Sequence, residues 1–203
     1  MYKRLSIKHG SKIYQQLKRI LVIIMDGESF ISANGTEIID KQFSSIDVTI
    51  NDEESVVVSG SSFADCIVYL KDVQNLEISN CTFKNTSFVI SLDDPAIFVE
   101  NCYFDGCEFK LICITGLSNQ SELVDNELNN CSLKEANIKS DISVLGGNIK
   151  NCGVSTFIGK LNMLMDLHVE DCKGSFVEID CAVLKCEFVR STVEDLKHVG
   201  KIG

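Results

Sequence analysis

One short pattern of apolar and turn-forming positions returns about every twenty residues along this chain, and that period limits the folds open to it. With Phe43, Phe63, Phe83, Phe104, Leu128, Ile149, Val169 and Phe188 as anchors, the spacings are 20, 20, 21, 24, 21, 20 and 19. Five residues before them stand Ile38, Val58, Ile78, Val99, Leu123, Val144, Leu164 and Val183, all apolar. Five residues after them stand Val48, Val68, Phe88, Phe109, Leu133, Val154, Gly174 and Val193, apolar apart from the glycine. Two further columns carry turn formers. Asp40, Gly60, Asn80, Asn101, Asp125, Gly146, Asp166 and Lys185 lie three before the anchors, and Ser45, Asp65, Asn85, Gly106, Asn130, Asn151, Asp171 and Arg190 lie two after them. Asn, Asp and Gly tolerate the left-handed backbone of a sharp bend. Short strands that bend at fixed offsets and return after one period describe a coil. Eight coils stacked at roughly 4.8 Å make a rod of about 40 Å.

The expected fold is therefore all-β: a single-stranded parallel β-helix, or β-solenoid, of about eight coils spanning residues 20–195. A single proline, thirteen glycines and no tryptophan agree with many short strands and turns. Nine of the ten cysteines, all but Cys113, lie two residues before an apolar position of the frame. Cys66, Cys107, Cys131, Cys152 and Cys172 share one column, and Cys81, Cys102 and Cys186 another. A small, soft side chain suits a narrow solenoid interior, and the spacings contain no C-x-x-C pair, so a core ladder is expected rather than a metal or redox centre.

Segments such as Ile78-Ser-Asn-Cys-Thr-Phe83 and Val99-Glu-Asn-Cys-Tyr-Phe104 resemble the repeats of right-handed parallel β-helix proteins of the pectate-lyase-like type. The five-residue sub-spacing in Cys131-Ser-Leu-Lys-Glu-Ala-Asn-Ile138 is similar to that of pentapeptide-repeat proteins. The resemblance implies right-handed coiling, as does the general handedness of parallel crossovers. It does not select an activity, because both groups hold unrelated ones.

The ends and the longest coil interrupt the rhythm. Ile13, Tyr14, Leu17, Ile20, Leu21 and Ile24 follow helical spacing, so residues 1–19 are expected to form a basic cap with an amphipathic helix at 11–19. The solenoid domain then occupies 20–203, its first strand at 20–25. Ser191-Thr-Val-Glu194 has capping-box spacing, which predicts a short helix at 192–198 closing the last coil. Ser91–Pro95 reads as a turn-rich corner, and Thr115–Ser121 as a projecting loop that holds most of the extra length of the 24-residue coil.

Charge is distributed unevenly. Residues 1–25 carry six Lys/Arg and no acid, whereas the other 178 carry 13 basic and 29 acidic side chains, a net −16. Such a body repels phosphate backbones and attracts basic protein surfaces, so a protein partner is expected and direct nucleic-acid binding is not. A basic helix lying on an acidic membrane is the alternative for residues 1–25. Ile20–Met25 is short for a signal core and far too short to span a bilayer, so reduced cysteines and a cytoplasmic location are expected.

No catalytic, cofactor-binding or metal-binding residue stands out. His9, His168 and His198 are scattered in the frame, and His168 should point outward beside Val169. There is no phosphate-cradling loop, nucleophile elbow or zinc-protease helix. The candidate partner-binding residues are Asp105, Glu108, Glu127, Glu170 and Asp171 on the acidic flank, with Asn119 and Gln120 on the expected loop. The leading expectation is a non-enzymatic interaction protein, with an inhibitor that mimics nucleic acid as its sharper form. Some pentapeptide-repeat proteins are acidic rods that occupy the DNA-binding surface of gyrase, and the likeness in size, charge and coil length implies that form here. Two alternatives stay open: a structural subunit stacking through solenoid ends, and a sugar-binding or sugar-cleaving β-helix using carboxylates such as Asp105, Glu127 or Asp166.

Overall fold

The structure, a computed structural model, describes residues 30–31, 36–51 and 54–198. The expected helix at 11–19, the first strand at 20–25 and His9 lie outside these residues. Within them the chain winds as a parallel β-solenoid, and no helix is present among the described residues.

Every apolar column of the sequence frame is a register column of the structure. The anchors pair in an unbroken series, Phe43 with Phe63, then Phe83, Phe104, Leu128, Ile149, Val169 and Phe188. The column five residues earlier runs from Ile38 through Val58 and Ile78 to Val183. The column five residues later runs from Val48 through Val68 and Phe88 to Val193. All sixteen residues of the two bend columns have positive φ, between 48° and 70°. Even Lys185 (51°) and Arg190 (48°) adopt it, so the fold imposes the bend where the residue type does not favour it.

The two bends isolate a narrow side of three-residue strands, such as Ser62–Ala64, Thr82–Lys84 and Tyr103–Asp105. The other two sides differ along the rod. In early coils they are separate strands, Ile67–Lys71 and Asn75–Ser79, divided at Asp72 with φ 52°. In later coils one strand covers both, as in Ser132–Leu145 and Gly153–Met165. Backbone ladders continue through the bends: the Gly60 amide donates to Ser79 O at 3.1 Å, and the Asn85 amide to Asp105 O at 2.9 Å. Inside, the Phe43, Phe63, Phe83 and Phe104 rings stack at 4.9 Å between successive centroids. Phe88 meets Phe83 edge-on at 5.2 Å, joining the anchor stack to the next column.

One expectation is corrected. Residues 192–198 form a strand, not a helix: Thr192–His198 pairs in parallel with Lys173–Leu184. The open edge of the preceding coil offers a row of backbone partners, and Ser191, instead of capping a helix, donates its hydroxyl to Val169 O at 3.4 Å and Val189 O at 3.1 Å. The extra length of the 24-residue coil falls within Thr115–Ser121, as expected. It is taken up inside the strand Glu108–Val124 as an irregularity between Gly116, opposite Ser140, and Gln120, opposite Asp141. Ser121 anchors its end, buried, accepting the Ile97 amide at 2.8 Å and donating to Pro95 O at 3.2 Å. On the last described coil Phe188 and Leu196 are more than half exposed, because no described residue stacks above them.

Candidate functional site

The inward positions are committed to the core, so a binding surface on the walls must use their outward positions. Of the acids singled out in the sequence, Asp105, Glu127 and Glu170 share the narrow side, and Asp105 and Glu170 stand in one register column. Asp105 and Glu127 lie in adjacent coils on the narrow side, since Tyr103 pairs with Glu127 and Asp105 with Asn129. Asp105 accepts the Asn130 amide nitrogen at 2.9 Å, continuing a polar ladder in which Asn151 donates to Asn130 at 3.1 Å. Glu108 sits around the bend, with Lys134 in contact and Lys110 at 3.8 Å. Glu170 and Asp171 lie three coils further along, bound by Arg190 and, for Glu170, by Lys150 at 3.0 Å. Gln120 is exposed on the side away from Asp105, and the Asn119 side chain lies outside the described ones.

The paired acids are held in their charged form by the cations beside them. Hydrogen bonding from Lys134 holds Glu108 below its ordinary range. Lys150, then Arg190, does the same for Glu170, and Arg190 for Asp171. A general acid of a glycoside hydrolase needs the opposite displacement. His168 points outward as expected, with Nδ1 3.1 Å from a Glu187 carboxylate oxygen.

A different group of outward residues remains unpaired. Phe98 lies between Glu77 and Glu122 in one register column, paired with each in the neighbouring strands. Two residues further along its strand, on the same face, is Glu100. These residues, with Val99 and Val124, line an open depression of about 300 Å³. Phe98 is 47 % exposed, and none of Glu77, Glu100 and Glu122 has an ion-pair partner among the described residues. The sequence frame contains the signal for this group, because positions six and four before the anchors face outward. Nothing in a single sequence marks an outward column as used.

The cysteines have a more definite role than filling space. Each thiol one residue past a bend column donates to a carbonyl of its own coil, and most also reach the preceding one. Cys131 reaches Phe104 O at 3.6 Å and Asn129 O at 3.2 Å, and Cys102 reaches Ile78 O at 3.8 Å and Glu100 O at 3.3 Å. Thr86 and Ser61 occupy the same two columns and make the same pairs of contacts, Thr86 to Phe63 O and Lys84 O, Ser61 to Ile38 O and Ser59 O. Cys, Ser and Thr each supply a small donor at these positions, adding a second hydrogen bond to own-coil carbonyls that already accept a backbone amide. The hydrogen bond with Cys107 pushes the Cys131 thiol up to about 11, and burial first of all raises Cys66, Cys172 and Cys181, whereas hydrogen bonds with Cys102 and Cys131 lower Cys81 and Cys107. Thiols so raised are poor nucleophiles and poor metal ligands. Among the described residues, no group of three or more His, Cys, Asp or Glu is arranged to hold a metal ion.

Comparison with known proteins bears on the architecture. No curated protein matches the sequence. Among solved structures, a trypsin-treated form of QnrB1, a plasmid-mediated fluoroquinolone resistance protein, is similar at 10% identity. The match covers 86% of this chain and 92% of that one, with a TM-score of 0.30, too distant to bear on function. The family model described as a right handed beta helix region matches residues 12–133. With the in-register coils, this places the chain in the right-handed β-helix family.

Proposed function

We propose that this protein is a non-catalytic binding rod whose acidic wall engages a basic protein surface, of the kind that otherwise holds nucleic acid. The observation that carries this reading is the grouping of Glu77, Glu100 and Glu122 around one depression of a single wall, with no ion-pair partner among the described residues, whereas Glu108, Glu170 and Asp171 are held by Lys or Arg. Free carboxylates on a rigid in-register sheet cost little to desolvate against a matching cation and lose little conformational freedom on binding. Magnitude supports the nucleic-acid comparison. B-DNA carries one charge per about 1.7 Å, or roughly 22 over a rod of about 38 Å. Residues 26–203 carry a net −16, the same order of charge on the same length scale.

The test is binding to a panel of basic DNA-binding proteins followed as salt is varied. Affinity is expected to rise at least about tenfold as monovalent salt falls from roughly 200 to 50 mM, and duplex DNA should compete. No detectable binding at the lower salt would rule the proposal out.

A further inference from the structure

We infer that the depression centred on Phe98 is a recognition site for an arginine side chain of the partner, a step that rests on the reading of the protein as an acidic binding rod. Phe98 is the bulkiest and most exposed apolar side chain of its outward column, which elsewhere carries Glu37, Val57, Glu77, Glu122, Ser143, Met163 and Ala182. Parallel strands lie about 4.8 Å apart, so Glu77 and Glu122 stand roughly 10 Å apart on either side of the ring. A guanidinium laid flat on the Phe98 face meets the negative face of the aromatic quadrupole, and its edge N–H groups reach toward a carboxylate on one side or the other. Glu100 sits further along the same strand to take a second cation or the remaining donors.

An ammonium fits less well. It has no plane to stack on the ring, and its compact, strongly hydrated charge loses more water on entering a depression floored by Phe98, Val99 and Val124. The carboxylates are exposed, and no described cation competes for them. The site is accordingly open and negative, and it favours arginine over lysine.

The experiment measures anisotropy of fluorescein-labelled octa-arginine and octa-lysine peptides, equal in charge, titrated with the full chain at low salt. Wild-type protein is expected to bind octa-arginine several-fold more tightly than octa-lysine. Phe98→Leu, which keeps apolar bulk but removes the ring, should erase that preference. Glu77→Gln with Glu122→Gln should weaken octa-arginine at least about fivefold. Asp105→Asn with Glu127→Gln removes the same charge from the narrow side and should change affinity less than twofold. Unchanged far-UV circular dichroism and thermal midpoints show that each variant is folded. If the two double variants weaken binding equally and Phe98→Leu leaves the arginine preference intact, binding follows net charge alone. The arginine site is then wrong while the acidic-rod reading stands. If wild type binds neither peptide, both fall.

Discussion

Replacing Phe83 by alanine is expected to lower the free energy of unfolding by about 3–5 kcal/mol, a large fraction of the stability of a domain this size. Phe83 is 3 % exposed and sits at the junction of the interior. Its ring stacks on Phe63 and Phe104 at 4.9 Å on either side and meets Phe88 at 5.2 Å. Truncation leaves a cavity that in-register neighbours cannot fill, because each is fixed at its own level by the backbone ladder. The loss includes the aromatic contacts themselves, about 0.5–1.5 kcal/mol per pair beyond buried area. The measurement is equilibrium urea unfolding. Phe188→Ala, in the same column but 59 % exposed on the last described coil, serves as the control and should cost well under half as much. Equal effects at the two positions would contradict a core that runs along the column.

Gly147→Ala is expected to be comparably damaging for a different reason. Gly147 has φ 95°, outside the region that L side chains occupy readily, and a Cβ there would lie 2.4 Å from the Asn126 carbonyl oxygen and 3.0 Å from its nitrogen. Both atoms are backbone of the preceding coil, so relief requires the coils to separate. The conformational strain alone is about 1–3 kcal/mol, to which the clash adds. Gly153→Ala is the contrasting case: its Cβ would meet nothing within 4 Å. That change should leave stability within about 0.5 kcal/mol or raise it slightly by restricting the unfolded chain. Thermal midpoints of the two variants, measured side by side, check the prediction. A Gly147→Ala variant as stable as wild type would mean that coils do not approach as closely as the register requires.

How much of this was legible in the sequence follows from which positions are constrained in common. Phe63, Phe83 and Phe104 repeat because they share one interior column, and Asp65, Asn85 and Gly106 repeat because they share one bend. Period and residue type therefore report architecture directly. The Glu77–Phe98–Glu122 group does not repeat, since an outward column has no shared packing requirement. The ion pairs were hidden for a related reason: Glu108 finds Lys134 only because the long coil places residues 24 apart in register. Residues 192–198 show the limit of local signals. The capping-box spacing of Ser191 and Glu194 describes an isolated helix start, but the free strand edge beneath supplies backbone partners along the whole segment. The hydrogen bonds of the thiols to carbonyls beside the bends become visible only in the folded coil.

The most direct test of the stacked-coil account is a nuclear Overhauser measurement on protein labelled with ¹³C in its phenylalanine rings. Ring-to-ring contacts are expected from Phe43 to Phe63, Phe63 to Phe83 and Phe83 to Phe104, and none from Phe43 to Phe104. Absence of the Phe63–Phe83 contact in the folded protein, or a direct contact between the two outer rings, would contradict it.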